Sequence, residues 1–297
     1  MRVFVTGASG YIGGSIAQKL CDSGHQIVGL ARSEKKAGLL KERGITPILG
    51  TLDESRLLTD ATRRADAVIN AADVDHAGAV QTLIAAMEKS GKLLIHTSGS
   101  SIVADDACGE YASPVVFTED TYFEPLPSRR PRVTIDRSVR QAGIEKAIQT
   151  VLICPPMIYG TGRGPQPDSD QIPKLTALSK QVGAGVYFGK GLNRWSNVHI
   201  DDLTDLYILA IEKAPAASFF FAENGDASFK EIAEWISHSL GFAGKTQSLK
   251  LADLVTQYGE SARYGVASNS LVSAVNARRL GWSPKGPSLA EVVQGLV

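Results

Sequence analysis

Apolar positions in the first half of the chain alternate between two periods. Residues 2–6 hold a short apolar run, Val3-Phe4-Val5, that predicts a strand. A glycine loop follows, then a helical stretch over 11–21 that Gly24 ends. Residues 26–30 predict a second strand, Ser33 caps a helix over 34–43, and Gly44 closes it. Further strands are expected at 46–49, 67–70, 92–96 and 150–154. Helices are expected between them: one capped by Asp53 and running to 62, and one over 132–142. Another is marked by Val80, Leu83, Ile84 and Met87 at i, i+3, i+4 and i+7. Strands alternating with helices across short connections predict an α/β fold, a doubly wound parallel sheet with helices on both faces.

The rhythm changes after Cys154. Pro155-Pro156 opens a stretch rich in Gly, Pro and Asp that runs to Pro173, and a glycine-interrupted segment covers 182–193. Asp201 or Asp202 is the expected cap of a helix carrying Leu203, Leu206, Tyr207 and Ala210. Residues 218–222 read as a strand, and Ile232, Trp235, Ile236 and Leu240 mark a further helix. The expected division is a dinucleotide-binding domain over 1–155 and a smaller substrate-side region over 156–297. The strand near 218–222 is expected to return to the main sheet.

Charge narrows the function classes. The 297 residues hold 31 Lys+Arg against 31 Asp+Glu, a formal net charge of zero. That balance argues against a nucleic-acid binder or a polybasic membrane-surface protein. No apolar run approaches the roughly 18–20 residues that span a bilayer. Cys21, Cys108 and Cys154 are scattered and odd in number, so neither a disulfide framework nor a metal spacing is expected. Met1-Arg2 runs directly into the first strand without a leader pattern, so the expected compartment is the cytoplasm. The expected partner is a small-molecule substrate, and the expected state a monomer or homodimer.

Candidate chemistry begins at Gly7-Ala8-Ser9-Gly10-Tyr11-Ile12-Gly13, between the first strand and the first helix. Glycines three apart suit a tight turn, close approach to a pyrophosphate, and close packing of helix on strand. The helix N-terminus offers free N–H groups to the anion. The expected contacts are Gly7, Ser9, Gly10, Tyr11, Ile12 and Gly13. The second strand ends Leu30-Ala31-Arg32-Ser33, with no acid to bind a ribose 2′-hydroxyl. Arg32, with Ser33 and Lys35 or Lys36, would instead neutralise a 2′-phosphate, so NADP is favoured over NAD. Asn70-Ala71-Ala72, after the fourth strand, are expected beside the adenosine and ribose.

These motifs, in order with HTSGSS after strand five, CPPMIYG at strand six and NVHIDDL further on, resemble the extended and atypical short-chain dehydrogenase/reductases. The NAD-dependent epimerase/dehydratase group is among them, and the resemblance covers essentially the whole chain. It implies a Rossmann domain, a small C-terminal substrate domain, and hydride transfer at a nicotinamide. Pro155 of the CPPMIYG segment is then expected on the cofactor side.

The resemblance also implies a Tyr-x-x-x-Lys pair and an upstream Ser or Thr. Here no lysine has a tyrosine four residues before it. By register, Ser128 stands in the tyrosine's place, Arg132 in the lysine's, and Asp136 at the acid that follows. Ser98 and Ser100, with Ser101 beside them, are candidates for orienting a substrate oxygen. Tyr122 and Tyr159 are candidates for a relocated acid. The expected activity is an oxidoreductase of epimerase/dehydratase type acting on a small carbonyl, alcohol or sugar-type substrate. The alternative is a non-catalytic NADP(H)-binding sensor.

Overall fold

Seven parallel strands form the floor of the molecule in the computed structural model, which describes residues 1–295, the side chains of 257, 258 and 261 excepted. The first part runs β1 Arg2–Thr6, α1 Tyr11–Asp22, β2 Gln26–Ala31, α2 Glu34–Lys41, β3 Thr46–Leu49, α3 Ser55–Arg63, β4 Ala67–Asn70, α4 Ala77–Met87, β5 Leu93–Thr97, α5 Arg130–Glu145 and β6 Gln149–Cys154. The second runs β7 Met157–Tyr159, α6 Gln171–Val182, β8 Gly185–Phe188, β9 Arg194–His199, α7 Ile200–Lys213, β10 Ser218–Phe221, β11 Asp226–Ser228, α8 Phe229–Ser239, β12 Thr246–Leu249 and α9 Leu251–Tyr258. It closes with α10 Glu260–Val266, α11 Val275–Leu280 and α12 Leu289–Gln294.

The sheet order is β10-β6-β5-β4-β1-β2-β3. Its central strands are largely apolar because both faces are covered. Alternation still sorts them: Val3, Val5, Ile69 and Ile95 pack on the side of α1 and α7. Phe4, Val68 and Leu94 face α3, α4 and α5 on the other side. Strand β10 lies parallel to β6, Ser218 beside Val151 and Phe221 beside Cys154, so this late segment does return to the main sheet. Strand order reverses about β1, which has β2 on one side and β4 on the other. Ligands of doubly wound sheets bind at the carboxyl ends of the strands at such a point.

The second part gathers around its own cluster, with Met157, Tyr159, Trp195, Phe229 and Ile232 at its centre. Two small sheets, β11-β9-β7 and β12-β8, frame it.

Two expected caps do not form. His199 caps α7, its Nδ1 accepting the Asp201 N–H at 3.2 Å. Asp202 instead accepts the backbone N–H groups of Lys285 (2.7 Å) and Gly286 (3.0 Å), tying the C-terminal segment down. Helix α3 begins after Glu54 with no side-chain cap, and Asp53 pairs with His76 at 3.1 Å. Ser33 caps α2 as expected, accepting the Lys36 N–H at 3.3 Å. Among the described residues no helix is long and apolar enough to cross a membrane, and no group of three His, Cys, Asp or Glu could hold a metal.

Candidate functional site

The glycine loop is shaped by its neighbours. Gly7 has φ of +74°, and a Cβ there would sit 2.4 Å from the Ala71 carbonyl oxygen. A Cβ on Gly13 would sit 2.5 Å from the Gly7 carbonyl oxygen. The loop therefore lies against the end of β4 at a distance only glycine permits. Gly10 precedes α1, and no side chain caps that helix. The first-turn N–H groups of Tyr11, Ile12 and Gly13 are left as donors for an anion.

A hollow of about 270 Å³ opens in front of them, lined by Gly7, Ser9, Gly10, Ala71, Ala72 and, at its far end, Arg32. Lys36 and Asp73 also border it. Neither the Arg32 nor the Lys36 side chain makes an ion pair among the described residues. Ser33 is occupied as a cap. The Asn70 side chain is buried beneath the hollow, accepting from the Thr6 hydroxyl and donating to His96 Nδ1 at 3.0 Å. A second hollow continues past Ala71 along Tyr11, Ile12, Pro156 and Gln171. Tyr11 donates its hydroxyl to the Gly160 carbonyl at 2.8 Å, holding the loop that follows β7. Pro155 is buried, its carbonyl accepting the Ser100 N–H at 2.9 Å. A third cavity, about 330 Å³, shares Asp170 and Gln171 with the second. Ser101, Arg129, Arg132, Trp195 and Tyr264 line it. Adjoining through these shared residues, the three hollows make up a cleft in series from Arg32, past the glycine loop, to Trp195.

The polar end of this third cavity is organised by Arg132, on the first turns of α5. Its guanidinium forks onto Asp75, Nε to Oδ1 at 2.9 Å and Nη2 to Oδ2 at 2.7 Å. Nη1 donates to Ser101 Oγ at 2.9 Å. The fork from Arg132 holds the Asp75 carboxyl below its usual range, and against the lowering effect of burial the Asp75 bonds and charge raise the Arg132 guanidinium above its own. A short 3-10 turn, Ser100–Val103, rotates the three serines after β5 apart. Ser98 Oγ donates to Asp136 Oδ2 at 2.7 Å. Ser100 faces Ser270 at 2.8 Å, inside the fold. Ser101 alone of the three lines the cavity.

Ser128 is exposed in the turn before α5 and lines none of the three hollows. Tyr122 is 83% exposed, beside Glu124. Tyr159 is buried in the second cluster and donates its hydroxyl to the Pro287 carbonyl at 2.8 Å. The structure brings neither tyrosine to the cavity. Tyr264 of α10 lines it instead, with the Arg129 guanidinium 4.9 Å from its ring centre. No sequence pattern marks Tyr264, because α10 reaches the cleft only through tertiary packing.

Behind the serines lies a buried polar pair. Burial pushes the Asp136 carboxyl up to about 7, against the lowering influence of Ser98 and Arg132. Burial, with the nearby Arg132 charge, holds the His96 ring down to about 4. Because Asn70 donates to Nδ1, the neutral ring carries its proton on Nε2, which stands 3.7 Å from Asp136 Oδ1.

The family model described as "NAD dependent epimerase/dehydratase family" matches residues 3–219. The chain belongs to that family. A protein of Schizosaccharomyces pombe, C2A9.02, is 30% identical over 302 residues, covering 97% of each chain. A 4-hydroxy-2-methyl-3-oxo-4-farnesyl-3,4-dihydroquinoline-1-oxide ketoreductase of Stigmatella aurantiaca is 26% identical, covering 76% of this chain and 69% of its own. The fold of this epimerase/dehydratase family member is similar to that of the dTDP-glucose 4,6-dehydratase of Bacillus anthracis, solved in complex with NAD. The TM-score is 0.80 at 16% identity, over 99% of this chain and 94% of that one. In this family member Arg132 is held in the cleft, whereas Ser128, in the expected tyrosine position, is not.

Proposed function

We propose that this epimerase/dehydratase family member is an NADP-dependent oxidoreductase acting on a small carbonyl or alcohol. The observation that carries the reading is the series of adjoining hollows, with cations that make no ion pair among the described residues at one end and a polar-and-apolar cavity at the other. The dinucleotide fits the residues present. The open donors of α1 suit a pyrophosphate, Ala71 and Ala72 leave room for the adenosine ribose, and Arg32 with Lys36 suits a 2′-phosphate. A reduced nicotinamide supplies a hydride when bound.

The chain's own groups divide the remaining work. Ser101 accepts from Arg132, so its own O–H is free to donate to a substrate oxygen. Arg132, fixed by Asp75, stabilises negative charge developing on that oxygen. Tyr264 is the phenol the cavity offers as a proton donor. Trp195 is anchored by its Nε1, which donates to the Ser268 carbonyl at 2.9 Å; with Phe188 and Leu175 it walls water from the reacting centre. A panel of aldehydes and ketones with NADPH, followed by loss of the reduced-nicotinamide absorbance, tests this. Turnover with at least one member is expected, and Tyr264→Phe should lower kcat with little change in KM for NADPH. Unchanged kcat in that variant would remove Tyr264 from the chemistry.

The absent Tyr-x-x-x-Lys pair favours a second reading, a cofactor sensor without turnover. It predicts saturable NADPH binding and no consumption across the panel.

A further inference from the structure

Arg129 is the unusual charge of the molecule. Its residue is 9% exposed, it lines the third cavity, and its side chain makes no hydrogen bond or ion pair among the described residues. Nε is buried and without a partner. The guanidinium rests on the Tyr264 ring, 4.9 Å from its centre. The nearby carboxylate, Asp75, is already gripped by both arms of Arg132. Of the three cations that line the cavity, Arg132 pairs with Asp75 and Lys174 with Asp170, and Arg129 has no counter-ion among the described residues. A buried charge is costly unless it is paired, and burial together with the Arg132 charge pulls the Arg129 guanidinium below its usual range.

We propose that Arg129 is the docking group for a substrate carboxylate, so that the substrates are apolar oxo- or hydroxycarboxylic acids. The inference rests on reading this cavity as the substrate end of the cleft. Three observations give the ligand its chemistry. The unpartnered guanidinium is a planar fork that matches a carboxylate with two parallel hydrogen bonds. Leu175, Leu178, Phe188, Trp195 and Leu254 line the same cavity, so the rest of the ligand is hydrocarbon. The volume of about 330 Å³ lies near the lower end of ordinary ligand pockets, which suits a medium-chain acid and not a nucleotide sugar. Carboxylate binding supplies the missing counter-ion, and the acid's carbonyl is then presented to Ser101 and Arg132.

The test is a binding titration by calorimetry with octanoate, an unreactive probe, and with octanamide, its neutral counterpart. Wild type should bind octanoate at least about tenfold more tightly than octanamide, the scale of one charge-assisted pair. Arg129→Met should abolish that preference and, because it removes an unpaired buried cation, should raise the Tm of the ligand-free protein. Equal binding of the two probes by wild type would overturn the proposal without any variant, as would a preference that survives in Arg129→Met. Displacement of octanoate by equimolar inorganic phosphate would overturn the carboxylate assignment. NADPH binding, measured on the same samples, reports separately on the other end of the cleft. Its loss would sink the dinucleotide reading and leave the octanoate result standing.

Discussion

Arg32 follows β2 directly, lining the glycine-loop hollow, and no acid stands in its place to bind a ribose hydroxyl. Charge-assisted hydrogen bonds contribute about 1.5–3 kcal/mol, or roughly ten- to a hundredfold in affinity. Arg32→Asp should therefore weaken NADPH by at least about tenfold while leaving NADH within a few-fold. Equal losses for both in a binding titration would refute the 2′-phosphate reading. The buried pair His96 and Asp136 makes a second prediction at this scale. His96 titrates near 4 when folded against 6.5 otherwise, so the unfolded chain binds the extra proton and stability rises with pH across that window. Asp136 titrates near 7 against 3.8, so the folded chain holds the extra proton and stability falls with rising pH between those values. The two slopes oppose each other. Asp136→Asn removes only the second, so its Tm relative to wild type should climb from pH 4 to pH 7. A Tm difference that stays constant with pH would contradict the raised Asp136 carboxyl.

The strand–loop–helix unit of β1 and α1 shows why some elements were readable and others were not. Its glycines advertise the loop directly, since Gly7 needs both a positive φ and the space that a Cβ would take from Ala71. Gly24 shares the positive φ, +82°, but has nothing within 4 Å of a Cβ. Gly24→Ala should therefore cost only the backbone strain, about 1 kcal/mol. Gly7→Ala should cost clearly more in thermal unfolding, and it should weaken NADPH because the loop must move off β4. Equal Tm losses would mean that the Ala71 contact carries no energy. The parallel strands were legible for the same local reason, since runs such as Val3-Phe4-Val5 are buried on both faces. The small sheets were not. Strands β7, β9 and β11 each hold three to six residues. Their partners are distant in sequence, so no local period announces them. The α7 cap shows a related limit: Asp201 and Asp202 looked equivalent, but the turn after β9 aims His199 at the helix N-terminus. The serines after β5 show it again, because the turn at Ser100–Val103 decides which one meets the cavity.

At the scale of the whole molecule, the second part of the chain has its own cluster and also contributes to that of the main sheet. Phe219, Phe221, Leu203 and Trp282 belong to the same cluster as Val3 and Ile95. The cleft between the glycine loop and the second cluster is framed by two packed clusters, which suits holding two reactants at fixed separation. The charge balance of the full sequence conceals a local surplus, Arg32 and Lys36 at one end of the cleft and Arg129 at the other. The most direct measurement is the transfer of label from NADPH carrying deuterium at its transferable position, with a medium-chain oxo acid as acceptor and the product read by mass spectrometry. One deuterium is expected on the former carbonyl carbon of the hydroxy acid, and its loss is expected in Arg129→Met. Saturable NADPH binding with no label in any product of an oxo-acid, ketone and aldehyde panel would contradict it.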